Sequence, residues 1–166
     1  LALASSPSFD LNPFIMGLTP DQAQALFQNP AQPLTNRPTL GVYPPGSTFK
    51  TVTMAAGLGR GLYTPGSMFY CSGTWTGLGI PLHCWKTTGH GHIDLTEGLA
   101  QSCDVVFYIV GHTLDGNGHD VLPDFVRGFG VGRTTGIVGL EEAAGLLPTP
   151  AWKQQTQHEP WYPGDP

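Results

Sequence analysis

Tyr43-Pro44-Pro45-Gly46-Ser47-Thr48-Phe49-Lys50 is the stretch whose reading decides this chain. Two prolines fix φ and remove amide donors, and Gly46 permits a tight turn. Phe49, Val52, Met54, Ala55, Ala56 and Leu58 then follow at helical spacing, so the pattern predicts a serine delivered onto the first turn of a helix. Lys50 stands three residues on, and positions i and i+3 share one helix face with Cβ atoms roughly 5 to 6 Å apart. A serine hydroxyl is a weak nucleophile at neutral pH unless a neighbour takes its proton, and a lysine can do so only when uncharged. Burial and the positive end of a helix dipole both disfavour the ammonium form, while the free amides at that end stabilise an oxyanion. Ser47 therefore reads as a nucleophile and Lys50 as its base, for acyl transfer. Taken alone, the same eight residues also describe a capped helix with a surface lysine.

The chain around this stretch has 166 residues, enough for one domain with a real core. Charged residues make up 11%, against roughly 25% in ordinary soluble domains, while glycine (23) and proline (16) are abundant. A loop-rich, low-charge globular piece is expected. With 7 basic against 12 acidic residues the formal charge is -5, and the scattered basic residues argue against a nucleic-acid or anionic-membrane surface. No apolar run approaches the roughly 18 residues of a membrane helix, and no signal peptide is legible, so any anchor is expected outside this sequence.

Leu1-Ala2-Leu3-Ala4-Ser5-Ser6 reads as the end of a strand, and Pro7 to Pro13 as loop. Thr19-Pro20-Asp21 is a capped helix start with a first-turn proline, running Gln22 to Gln28 and stopped at Asn29-Pro30. Ala31 to Gly41, with Pro33 and Pro38, is expected to be extended, and the Ser47 helix to end among Gly57, Gly59 and Gly61. Residues 63 to 93 lack periodicity and predict an irregular excursion that something other than a core must hold. Asp94-Leu95-Thr96-Glu97 opens a helix through Leu99 to Asp104, continued by the buried run Val105 to Val110. Val121 to Phe129 reads as a short amphipathic helix interrupted by Pro123, and everything beyond as glycine-spaced turns and loop.

Several segments together reduce the ambiguity over Ser47. Ala4-Ser5-Ser6-Pro7-Ser8-Phe9-Asp10, Asn36-Arg37-Pro38, Tyr43 to Lys50, His90-Gly91, Ser102-Cys103-Asp104-Val105-Val106-Phe107-Tyr108 and Phe129-Gly130-Val131-Gly132 resemble, in that order, the transpeptidase domain of class B penicillin-binding proteins. The elongation-type branch, whose second motif can end in Asp, is the most similar. The resemblance implies an α+β fold of the penicillin-binding-protein and serine β-lactamase type, represented mostly by its helical part, with residues 1–166 forming a partial domain. It implies a serine D,D-transpeptidase that cross-links peptidoglycan stem peptides and is acylated by β-lactams. Ser47 would be the nucleophile and Lys50 its base; Ser102 would relay a proton to the leaving amine, and Asp104 would hydrogen-bond Lys50 and the substrate. It further implies the outer face of the bacterial cytoplasmic membrane, and as partners a cell-wall glycosyltransferase, the elongation machinery and the remaining transpeptidase segment. A class D β-lactamase or β-lactam sensor and a non-catalytic module of the same fold are the alternatives.

Two features depart from the family pattern. Asp104 stands where the general motif has Asn; a carboxylate beside Lys50 favours the ammonium and is expected to move acylation to higher pH, unless Asp104 merely caps the Val105 helix. No Lys-Thr-Gly or Lys-Ser-Gly occurs, since Lys86-Thr87-Thr88 reads as loop. The chain alone is therefore expected to be a fragment that acylates poorly.

Three cysteines cannot all pair internally. Cys71, Cys84, His90 and Cys103 supply the Cys₃His composition of a structural zinc site that would clip the glycine-rich excursion and steady the neighbours of Cys103. A Cys71–Cys84 disulfide, or free thiols, are the alternatives. Elongation-type relatives are similar in having a zinc site here. No cofactor is expected for catalysis. Trp75, Trp85 and Tyr108 read as core packing, with lining of the cleft the alternative, His83 and His92 as loop residues, and His112, His119 and His158 as surface.

Overall fold

Side-chain caps mark the start of three of the helices in this computed structural model, which describes residues 2–165. These residues pack as two units. The first comprises the described residues up to Tyr43 together with Gly132–Gly145. In it, α1 spans Asn12–Met16, α2 Pro20–Phe27 and α3 Arg37–Leu40. The Thr19 hydroxyl accepts from the Gln22 amide while the Gln22 side chain returns to the Thr19 amide, the reciprocal cap that the Thr-Pro-Asp start predicts. α1 and α3 correct the expectations of loop and extended chain. Pro13 and Pro38 both sit in a first turn, where a missing N–H costs nothing. Ala2 to Ser5 form no strand, because no described segment pairs with them, and Leu1 lies outside the described residues. The Ser5 hydroxyl instead donates to the Thr35 carbonyl and accepts from the Arg37 amide.

The second unit comprises Pro44–Val131 and the described residues from Leu146 onward. Here a 3-10 turn, Gly46–Phe49, runs into α4, Lys50–Gly59. The excursion proves more regular than expected. β1 (Met68–Cys71) pairs antiparallel with β4 (Gly91–Asp94), and β2 (Thr74–Trp75) with β3 (Leu82–His83). Four residues are too few to show a sequence period, yet β1 alternates faithfully, Phe69 and Cys71 inward and Met68 and Tyr70 outward. α5 (Leu95–Ala100) starts where predicted, after Asp94, whose carboxylate accepts from the Glu97 amide. α6 (Asp104–Gly116) is a separate helix, not the continuation of α5. Ser102 takes a left-handed φ of 51° and breaks the run.

α6 is the axis of the core. Its Val105, Val106, Val110 and Leu114 are sealed from solvent by Ala56 of α4, Leu95 of α5, Phe69 and Ile93 of the strands, and Leu122 and Val126 of α7 (Val121–Arg127). Pro123 does not interrupt α7, for it lies in the first turn. α8 (Pro150–Gln157) corrects the expectation of loop to the end, and its start repeats the chemistry of α2: Thr149 before a proline, the hydroxyl accepting from the Trp152 amide. His112 is not at the surface either. It is half-buried, edge-on to Trp75, with a buried Nδ1 that finds no partner among the described residues.

Candidate functional site

The site is built where the 3-10 turn meets the start of α6. Gly46 takes φ of 55°, the left-handed backbone that glycine adopts most cheaply, and turns the chain so that Ser47 stands exposed. Ser47 therefore lies on a 3-10 turn and not on the first turn of an α-helix. The Lys50 amide donates back to the Ser47 and Thr48 carbonyls. The Ser47 hydroxyl makes no hydrogen bond among the described residues. Lys50 begins α4, and its side chain crosses to the start of α6. Its Nζ donates to the Ser102 carbonyl (2.9 Å), the Ser102 hydroxyl (3.1 Å) and Asp104 Oδ1 (2.5 Å). An ammonium has three protons, and three acceptors meet them. Its side chain is only 12% exposed and lies 5.8 Å from the centre of the Phe107 ring.

Asp104 is the first residue of α6, and its two oxygens face different elements. Oδ1 takes Lys50, while Oδ2 accepts the Trp85 backbone N–H at 2.9 Å. Burial pushes the Asp104 carboxyl upward, but the Lys50 and Trp85 hydrogen bonds together outweigh it and hold the group below the usual carboxylate range. The helix-cap reading of Asp104 does not hold, because Cys103 occupies the cap position and both carboxylate oxygens are committed elsewhere. The four expected catalytic residues thus divide: Lys50, Ser102 and Asp104 are joined by hydrogen bonds, and Ser47 stands one turn away, open to solvent.

Directly behind this cluster the four expected ligands converge. The Cys71, Cys84 and Cys103 sulfurs and His90 Nδ1 all lie within 4.8 Å of one another, and none of the cysteines is in a disulfide. His90 Nδ1 is 3.6 Å from Cys71 Sγ and 3.7 Å from Cys84 Sγ. Bond lengths of about 2.3 Å to sulfur and 2.0 to 2.1 Å to nitrogen on a tetrahedron set sulfur and nitrogen roughly 3.6 Å apart, so the donor set fits a zinc ion. Burial lowers His90, favouring the neutral ring that a metal ligand requires, and pushes the Cys103 thiol up to about 12. Cys71 moves the other way: burial raises it, but hydrogen bonds from the His90 and Gly73 backbone and from the Cys103 and Cys84 side chains together outweigh burial and favour its thiolate. Two glycines allow the convergence. A Cβ on Gly89 would stand 2.2 Å from the Cys71 carbonyl oxygen, and one on Gly73 2.0 Å from that of Thr87.

The aromatic expectations divide as well. Trp75 stacks on Tyr108 against the core, and Tyr108 donates to the His83 carbonyl. Trp85, by contrast, is 63% exposed, with its indole N–H donating to the Gln101 carbonyl at 3.1 Å. Nothing local in the sequence signalled that placement, since its partners lie 16 and 19 residues downstream.

Known proteins share this fold. Residues 1–159 match the model of the penicillin binding protein transpeptidase domain. The chain is 41% identical over 167 residues to the peptidoglycan D,D-transpeptidase MrdA of Salmonella typhimurium, covering 99% of this chain and 26% of that protein. It thus spans about a quarter of the length of the curated relatives it matches. Among solved structures, Pseudomonas aeruginosa PBP2 in complex with WCK 5153 superposes with a TM-score of 0.89 at 35% identity, over 98% of this chain and 35% of that one. PBP2 in its complex with MreC from Helicobacter pylori gives 0.90 at 30% identity, over 98% and 30%.

Proposed function

The chain belongs to the penicillin-binding protein transpeptidase family, and from that premise we propose that it carries the serine and lysine motifs of a D,D-transpeptidase that cross-links peptidoglycan stem peptides. The observation that carries the reading is the Lys50 amine held at once by Ser102 and Asp104, residues 52 and 54 positions away. In the proposed cycle Lys50 first loses one proton to solvent and, as the neutral amine, takes the hydroxyl proton while Ser47 attacks the carbonyl of a terminal D-Ala-D-Ala. Ser102, hydrogen-bonded to Lys50, passes a proton to the departing amine, and D-alanine leaves an ester on Ser47. The amine of a second stem peptide attacks that ester, forms the cross-link and frees the serine. A β-lactam offers a strained amide to the same hydroxyl but keeps its leaving nitrogen tethered, so the ester persists.

Residues 1–166 are, in this reading, a partial domain. The Lys-Thr-Gly segment that supplies carboxylate recognition and half of the oxyanion hole is contributed by further sequence, and the chain alone acylates poorly. Cys71, Cys84, His90 and Cys103 would hold a structural zinc. Once bound, it supplies a fixed point for the Cys103 sulfur and so for the peptide between Ser102 and Asp104. The solved complex of PBP2 with MreC supports partners in the elongation machinery, and a cell-wall glycosyltransferase is proposed with them, at the outer face of the cytoplasmic membrane.

The test is intact-mass and peptide mapping after exposure of the completed protein, this chain extended by its third-motif segment, to a fluorescent penicillin. A single stable adduct on Ser47, absent in Ser47→Ala, is expected. No adduct at residue 47 overturns the assignment, and sustained nitrocefin turnover would mark a β-lactamase instead.

A further inference from the structure

The turn between α5 and α6 places Ser102 in a backbone conformation that residues with a side chain rarely adopt, φ 51°. Such a turn persists only where its surroundings over-determine it. Here two successive carbonyls each receive a side-chain donor from another element: Gln101 from the Trp85 indole at 3.1 Å, and Ser102 from Lys50 at 2.9 Å. The Lys50 contact belongs to the proton-transfer machinery already described. The Trp85 contact does not, and no core packing explains it, because Trp85 is 63% exposed and its aromatic partner is His90 in a T-shaped contact. Its backbone N–H goes to the same short segment, to Asp104 Oδ2 at 2.9 Å. One residue therefore grips the second motif on both sides of Ser102.

We infer that Trp85 is a positioning residue of the acylation site, its indole N–H holding the Gln101–Ser102 turn so that the Ser102 hydroxyl stays in hydrogen-bond reach of Lys50. The inference rests on the proposed transpeptidase reading for its functional half, though its structural half stands without it. Loss of one hydrogen bond in a site used only as the leaving group departs is felt in the maximal acylation rate and not in the initial binding of substrate. The size expected for one such bond is about three- to tenfold.

The experiment replaces Trp85 by benzothienylalanine, which keeps the bicyclic shape and removes only the N–H, in the completed protein. Two quantities are read: the saturating rate and half-saturation concentration for acylation by a fluorescent penicillin, and amide hydrogen exchange at Ser102 and Cys103, whose N–H groups are bonded to the Leu99 and Gly98 carbonyls. A saturating rate about three- to tenfold lower, a half-saturation concentration changed less than about twofold, and faster exchange at both amides are expected. An unchanged saturating rate overturns the positioning role, and unchanged exchange overturns the hold on the turn. Trp85→Phe, which also shortens the ring, should be no faster than the isostere; a faster Phe variant likewise overturns it. If the unsubstituted protein takes up no penicillin at residue 47, it is the reading of Ser47 that fails, and exchange at Ser102 and Cys103 alone then decides for or against Trp85.

Discussion

At the scale of single residues, the site turns on one shared carboxylate. Asp104 offers one oxygen to Lys50 and the other to the Trp85 N–H, an allotment only a carboxylate can make, since it accepts on both sides. An Asn in its place can accept from Lys50 but must then turn its amide N–H₂ toward the Trp85 N–H, donor against donor. Asp104→Asn is therefore expected to cost about 1 to 2 kcal/mol of stability through the lost Trp85 bond, read as a lower urea midpoint. It also removes a negative charge from beside the amine. The pH profile of acylation is therefore expected to move to lower pH. An unchanged pH profile would count against that role for Asp104. Ser47 and Lys50 are legible in the sequence because their relation is local, three positions on one turn. The direction Lys50 points is not, because its acceptors come from another helix.

At the scale of elements, the approach of α5 to α6 sets the distance from core to site. Gly98 marks it: a Cβ there would lie 3.1 Å from both methyl carbons of Val106, whose β-branched side chain has little freedom to yield. Two effects oppose each other in Gly98→Ala. Helix propensity favours alanine by about 1 kcal/mol, while overpacking a rigid core costs about 1 to 3 kcal/mol, so crowding wins. A net loss of about 1 kcal/mol is expected in chemical denaturation, with partial recovery when Val106→Ala is added; additive losses would show that the two positions do not touch. Local chemistry makes α2 readable and should equally reveal α8, since Thr149-Pro150 repeats the start seen at Thr19-Pro20. The break at Ser102 has no such sign. A serine at positive φ looks like any other serine in a sequence, and the donors that hold this one, Lys50 and Trp85, come from other parts of the chain.

At the scale of the whole molecule, the second unit has two means of holding together: an aliphatic core around α6, and the Cys71, Cys84, His90 and Cys103 cluster that gathers two short strand pairs. Strand pairs of two and four residues with few buried side chains are marginal without a tie. Protein purified without chelator is expected to carry about one zinc ion per chain, and stripping it to lower the thermal midpoint by roughly 10 °C, the size expected if a metal clip contributes several kcal/mol. Cys103→Ser should lower metal content and slow acylation together. Metal-free protein of undiminished stability would remove the zinc reading.

What the sequence determined by itself is everything encoded over a few adjacent positions: the serine and lysine on one turn, the capped starts at Thr19 and Asp94, the apolar run of α6, and a composition in which four ligating residues bracket a glycine-rich segment. Tertiary structure alone decided that Lys50 is drawn to Ser102 and Asp104, that Trp85 stands outside the core with both its N–H groups on the second motif, and that three sulfurs and a ring nitrogen meet. The reason is physical. Turns and caps arise from dihedral limits and hydrogen bonds within one or two turns of chain, whereas a long side chain takes whichever acceptors packing brings to it, and those lie some 16 to 54 residues away.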